Sequence, residues 1–125
     1  MDETSNAYGH KRLLVWKQSM ELVVATYAAT RAFPAVERHG LASQMQRAAV
    51  SIPSNIAEGS ARGSKRDSLR FYVFARGSIA ELDTQFEIAR RLGYLDEVRF
   101  RELTLRLDRI SRLLNGLRNA HSAGS

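Results

Sequence analysis

The chain has 125 residues, 44% of them hydrophobic and 26% charged, with a formal net charge of +6 and no cysteine. That length fits one domain with a core of its own, and the missing cysteines exclude a disulfide framework and a thiolate metal site. No apolar run reaches transmembrane length and no cleavable signal pattern opens the chain, so a cytoplasmic protein without a membrane partner is expected.

In chain order, residues 1–11 are polar and aperiodic and read as a disordered tail, as do residues 120–125, which leaves 12–119 as one domain. A first helix is expected over residues 13–33, with an apolar stripe at Leu13, Trp16, Met20, Val23 and Tyr27. Pro34 stops it, because the residue before a proline is driven out of the helical region. A second helix starts near Leu41, after Gly40, and carries Leu41, Met45, Ala48, Ile52 and Ile56. Inside it, Pro53 removes a backbone hydrogen bond and crowds the Ala49 carbonyl, at about 3 kcal/mol in a helix interior. Ile52 and Ile56 nevertheless stay in phase with Met45 and Ala48, so one continuous helix is expected, bent near 49–53 and ending around 58–59. A third helix opens at Ser64, where Ser64 and Asp67 make a capping-box-like pair. Its stripe is Tyr72, Ala75, Ile79, Leu82, Phe86 and Ala89, and Gly93 closes it. The fourth follows with Phe100, Leu103, Leu107, Ile110, Leu114 and Leu117.

No strand pattern interrupts these four. The spacings alternate three and four, as in helices packed at shallow angles, and the short third connection forces antiparallel neighbours. The fold class expected is all-α, an antiparallel up-down-up-down four-helix bundle. Several apolar residues fall outside the stripes: Val15 and Leu22, then Val73, Phe74, Ile88 and Leu92, then Val98 and Leu105. A helix apolar on two sides is buried on two sides, which points to a homo-oligomer. The competing reading is scattered exposed aliphatics, which are common.

Beside the second stripe run Gln44, Arg47, Ser51, Asn55 and Glu58, and the third helix offers Ser78, Glu81 and Gln85. One reading is an interhelical polar network, with Arg47 or Gln44 reaching Glu81 and Asn55 closing the carbonyls left open by Pro53. The other is a ligand or catalytic surface. The catalytic inventory is otherwise empty. His10, His39 and His121 lack the Glu-x-x-His spacing of a metal-binding bundle, and no metal site or cofactor is expected. "GSK" at 63–65 lacks the first glycine of a phosphate loop. In the fourth helix, Glu97 with Arg101, Glu102 with Arg106 and Asp108 with Arg112 are acid-first pairs of a solvated face. No catalytic residue is assigned, and a protein that is not an enzyme is expected.

The charge surplus is local. Residues 60–76 carry +4, from Arg62, Lys65, Arg66, Arg70 and Arg76 against Asp67 alone. Lys65 and Arg66 stand in a first helical turn, where the macrodipole favours anions. Backbone N–H groups and guanidinium forks together suit a phosphate, so a nucleic-acid partner, RNA or DNA, is one expectation. Inert exposed cations are the other. A scaffold that recruits a protein partner is the alternative function.

"FP" at 33–34, "GL..QM.RAA.SIPSNIAEG" at 40–59, "GS..EL" at 77–82 and "RRLGYL" at 90–95 complete the pattern. Over residues 13–118 the chain resembles a bacterial four-helix-bundle family. That family includes proteins encoded by intervening sequences in large-subunit ribosomal RNA genes and the accessory protein of diversity-generating retroelements. The resemblance implies a left-handed bundle assembled as a barrel-like homopentamer. It also implies a nucleic-acid partner, or a protein partner such as a reverse transcriptase. Arg47, Asn55, Glu58, Gly59, Ser78 and Glu81 match recurring polar positions of the family, to which no activity is attached.

Overall fold

Four helices make the fold: α1 (Leu14–Thr30), α2 (Leu41–Ser60), α3 (Lys65–Arg91) and α4 (Glu97–Ala123), with 3-10 turns at Gly9–Arg12 and Ala35–Glu37. The computed structural model describes residues 9–123, so the tails expected at 1–8 and 124–125 lie outside the described residues. Two tail expectations are corrected within them. The Gly9–Arg12 turn packs against α1 and α2, and α4 continues through 120 to Ala123, so that His121 is helical. Each helix packs on its two neighbours in chain order, α4 returns to α1, and the backbones of neither diagonal pair approach each other. This is the expected all-α, up-down-up-down square.

The stripes of α2, α3 and α4 are the core, with Met45, Ile52, Ile56, Leu82, Phe86, Leu103 and Ile110 fully buried. The expected face of α1 is half right: Leu13, Trp16 and Val23 pack part-buried against the core. Met20 and Tyr27 are exposed, while Val15 and Leu22, expected on a second face, are buried. The buried stripe is Val15, Ser19, Leu22, Thr26 and Ala29, spaced four and three. Two of its members are polar, but each hydroxyl donates to the carbonyl four residues back, Ser19 to Val15 at 2.6 Å and Thr26 to Leu22 at 2.8 Å. A hydroxyl satisfied by its own helix is buried at little cost.

α1 ends at Thr30, short of the expected 33. α2 runs unbroken through Pro53. Asn55 does not reach the Ala49 carbonyl: its Nδ2 donates to the Ser51 carbonyl at 2.8 Å, and Ser51 Oγ donates to Ala48 at 2.7 Å. At the start of α3, the Asp67 N–H donates to Ser64 Oγ at 3.2 Å, as the capping pair requires. At its end, Gly93 has φ 79°, Tyr94 N–H donates to the Ala89 carbonyl at 2.9 Å, and Gly93 N–H donates to Arg90 at 3.0 Å. Those two bonds form the Schellman closure, which needs the left-handed backbone that glycine adopts freely. Asp96 then caps α4 by accepting from the Arg99 N–H at 2.7 Å.

Two contacts fix how the helices meet. Gly59, near the end of α2, is buried against α3: a Cβ there would lie 2.5 Å from Tyr72 Cε1 and 3.0 Å from the Ser68 carbonyl. Ser68 Oγ donates to the Gly59 carbonyl at 2.7 Å. At the other end of the bundle, Glu37 joins both connections. Its Oε1 accepts from the Leu41 N–H at 3.1 Å, and its Oε2 accepts from the Tyr94 hydroxyl at 3.0 Å, with the Phe33 and Tyr94 rings 5.2 Å apart. Nearby, Arg90 bridges Glu87 and Glu97 and lies 4.9 Å over the Phe100 ring. Glu97 therefore pairs with Arg90, not with Arg101 as expected. The Asp108–Arg112 pair forms at 3.0 Å and Glu102–Arg106 at 3.9 Å.

Replacing Gly59 with alanine forces a methyl into the Tyr72 ring, and overpacking of this kind destabilises by about 1–3 kcal/mol. A urea titration of Gly59→Ala should show a lower midpoint with unchanged slope. Tyr94 gives a pH test. The Glu37 carboxylate that accepts its hydrogen bond raises the phenol's pKa, with burial and the carboxylate's charge adding to the shift. The folded chain thus keeps a proton that the unfolded chain releases above pH about 10. This contribution to stability is present below that pH and lost as pH rises through the folded value. Tyr94→Phe should show a shallower alkaline loss in urea midpoints between pH 9 and 11. Tyr72, raised by burial, keeps the loss from vanishing.

Candidate nucleic-acid interface

The connection between α2 and α3, residues 61–64, is short because Gly59 and Ser68 hold the two helices together beneath it. It brings the last turn of α2 and the first turns of α3 to one end of the bundle. The Gly9–Arg12 turn packs against α2 as well, and a cavity shared by Gly9, His10 and Ala61 puts it at this end. This is the end that receives the basic sequence.

The five cations expected here do not form one patch. Arg62 is ion-paired with Glu58 one turn back, so Asp67 is not the local acid that matters. The Arg62 guanidinium also lies 4.4 Å from the centroid of the Phe71 ring, and Arg70 lies 5.1 Å from the same ring. Phe71 is thus flanked by two guanidiniums. Its ring meets Phe74 edge-on at 5.7 Å and 90°, and Phe74 is 50% exposed. Lys65 and Arg66 are exposed at the helix start. A cavity of about 280 Å³ opens beside them, lined by Ser60, Arg62, Ser64, Lys65, Ser68 and Tyr72 among others. Arg76 does not belong. It is eleven residues past Lys65, roughly 16 Å along the helix, and lines a separate cavity between α3 and α4 with Asp83 and Asp108.

The polar stripe is placed but not bridged. Gln44, Arg47, Glu58 and Glu81 are exposed, and Ser51, Asn55 and Ser78 are half-buried. Their hydrogen bonds run within their own helices, including Ser78 Oγ to Phe74 at 3.3 Å. Among the described residues no hydrogen bond or ion pair joins Gln44 or Arg47 to Glu81. Gln85 is buried on α3, and its Oε1 has no partner. Sequence reasoning missed the aromatic half of the site. Phe71 lay in no stripe and Phe74 was assigned to a second apolar face, although Arg70-Phe71 and the i,i+3 pair Phe71–Phe74 were legible. No group of three or more histidine, aspartate or glutamate side chains among the described residues is placed to hold a metal, and no described helix is long and apolar enough to cross a membrane.

The family model described as 23S rRNA-intervening sequence protein matches residues 11–116. The chain belongs to that family. No curated protein matches. Among solved structures, the chain is similar to a protein of unknown function from the S23 ribosomal protein family of Bacteroides thetaiotaomicron VPI-5482. The two share 20% sequence identity at a TM-score of 0.76, over 84% of this chain and 98% of that one. At that identity the likeness shows the fold alone. The family match takes in α1, α2, α3 and α4 as far as residue 116, and the "SIPSNIAEG" segment is the part of α2 ending on Gly59.

Proposed function

We propose that this member of the family is a non-enzymatic, homo-oligomeric bundle of the cytoplasm that binds RNA or DNA at the α2–α3 end, with a preference for unpaired strands. The observation that carries the reading is the Arg62–Phe71–Arg70 stack with Phe74 half exposed at its edge. Cations along a backbone track, alternating with an aromatic face for a base, are the two parts of a single-strand site. The guanidiniums are held by the ring they flank, so less side-chain freedom is lost when a phosphate docks. Lys65 and Arg66 extend the charge to the cavity at the helix start. Arg76 plays no part.

Self-association rests on two apolar patches on different sides of the square. Met20 and Val24 of α1 border a groove of about 510 Å³ against α4. Ile88 and Leu92 lie on α3, diagonal to α1, and are 43% and 54% exposed. Two unlike patches join copies head to tail, and such contacts close into a ring when the rotation allows; the family resemblance suggests five copies. The scaffold reading draws on Val98 and Leu105, 78% and 61% exposed on α4 and outside both patches.

Binding of a fluorescent single-stranded oligonucleotide should weaken steeply with salt. The triple variant K65E/R66E/R70E should abolish most of it and flatten the salt slope. Phe74→Ala should weaken binding by about 1–3 kcal/mol while leaving the slope unchanged. Affinity untouched by both variants removes the site, and the scaffold reading then takes its place. Light scattering should return a multiple of the 14.0 kDa chain, reduced to a single chain by I88E/L92E. A wild-type mass near one chain would end the assembly proposal.

A further inference from the structure

The end of the bundle away from the basic connection holds a second cationic site. A cavity of about 310 Å³ lies where α1 stops and α2 starts, with Tyr27, Thr30, Arg31, Phe33, Arg38 and Gln46 in its lining. Two features set it apart from an ordinary surface depression. The first is uncompensated charge. Arg31 and Arg38 are both exposed, and neither forms an ion pair or hydrogen bond through its side chain with any described residue. The only acid in this connection is Glu37, and both its oxygens are occupied elsewhere, by the Leu41 N–H and the Tyr94 hydroxyl. Glu37 therefore forms no ion pair with either arginine, and two guanidiniums stand on one cavity.

The second feature is the rest of the wall. Phe33, 8% exposed, and Ala42, 5% exposed, give it an apolar floor. The Tyr27 ring, 40% exposed, stands at its side. Gln46 is fixed across the cavity, its Nε2 donating to Thr30 Oγ1 at 3.0 Å, while Thr30 Oγ1 donates to the Tyr27 carbonyl at 3.0 Å. The helix ends do not decide the sign of the ligand, because the C-terminus of α1 and the N-terminus of α2 meet here with opposite partial charges. The arginines decide it.

We infer that this cavity binds a phosphomonoester of mononucleotide size. Guanidinium forks match the oxygens of a phosphate in paired hydrogen bonds. The apolar floor and the Tyr27 ring suit a flat, weakly polar body attached to it. The volume stands at the low end for ligand sites, which run from roughly 300 Å³ upward, and so fits one nucleotide and not a longer chain. This site is separate from the α2–α3 end and does not depend on the reading given to that end.

Isothermal titration of the intact protein with AMP and UMP tests it, with adenosine and inorganic phosphate as controls. Both nucleotides should bind, adenosine should not, and inorganic phosphate should bind more weakly than either. R31Q/R38Q should lower nucleotide affinity at least about tenfold. In the K65E/R66E/R70E background, which removes the cations of the opposite end, nucleotide binding should persist and R31Q/R38Q should still lower it at least about tenfold. Both arginines are exposed, so the single variants R31Q and R38Q, each expected to weaken binding, carry the test should the double variant fail to fold. Three results would overturn the inference: no nucleotide binding at millimolar concentration, adenosine binding as tightly as AMP, or affinity indifferent to the arginines and sensitive to the opposite end.

Discussion

The closeness of α2 to α3 at Gly59 is the constraint on which the other features depend. No side chain fits between the α2 backbone and the Tyr72 ring, and the Ser68 hydroxyl fastens the same point from the other helix. With the helices in contact there, four residues suffice to connect them. Arg62 is then delivered beside Phe71, nine residues on in sequence, rather than swinging in solvent. A wider crossing would separate the Glu58–Arg62 pair from the Phe71 ring and dissolve the stack into unrelated surface cations.

Two clusters of cations stand at the ends of this bundle, on short connections whose local carboxylates, Glu58 and Glu37, face specific partners. Uncovered aliphatics stand along the sides, on α1, α3 and α4. An assembly built through the sides leaves both ends open. The number of copies then multiplies each end's charge without altering any one chain.

Three helices were readable from the sequence because their buried faces are apolar at every third or fourth position, and burial followed. α1 was not, although it is equally regular. Leu13, Leu14, Val15, Trp16, Leu22, Val23 and Val24 surround it, so apolar residues alone mark no face. What singles out the true face is Ser19 and Thr26, which count as polar in any pattern until their hydroxyls are seen bonded to their own helix. The candidate site divides the same way. The cluster at 62–70 was visible as charge, but its order was not. Whether Arg62 faces Glu58, Phe71 or solvent depends on the interhelical distance, which only the packing at Gly59 reveals. Arg76 was grouped with the others by proximity in sequence, and the rise of α3 carries it roughly 16 Å from Lys65, to a cavity shared with α4.

Glu37 has a consequence for how this protein can change. One carboxylate fastens the start of α2 and the α3–α4 turn together, so the two connections at that end are a single mechanical part. Lengthening either by a residue moves an atom that the other requires. Among the described residues no carboxylate ties the connection at 61–64 to another connection; Arg62 within it is held by Glu58 and Phe71, and Gly63 beyond it has open space about it. Evolution, or an engineer grafting a peptide, therefore has one permissive end on which to add chain and one end where additions are refused.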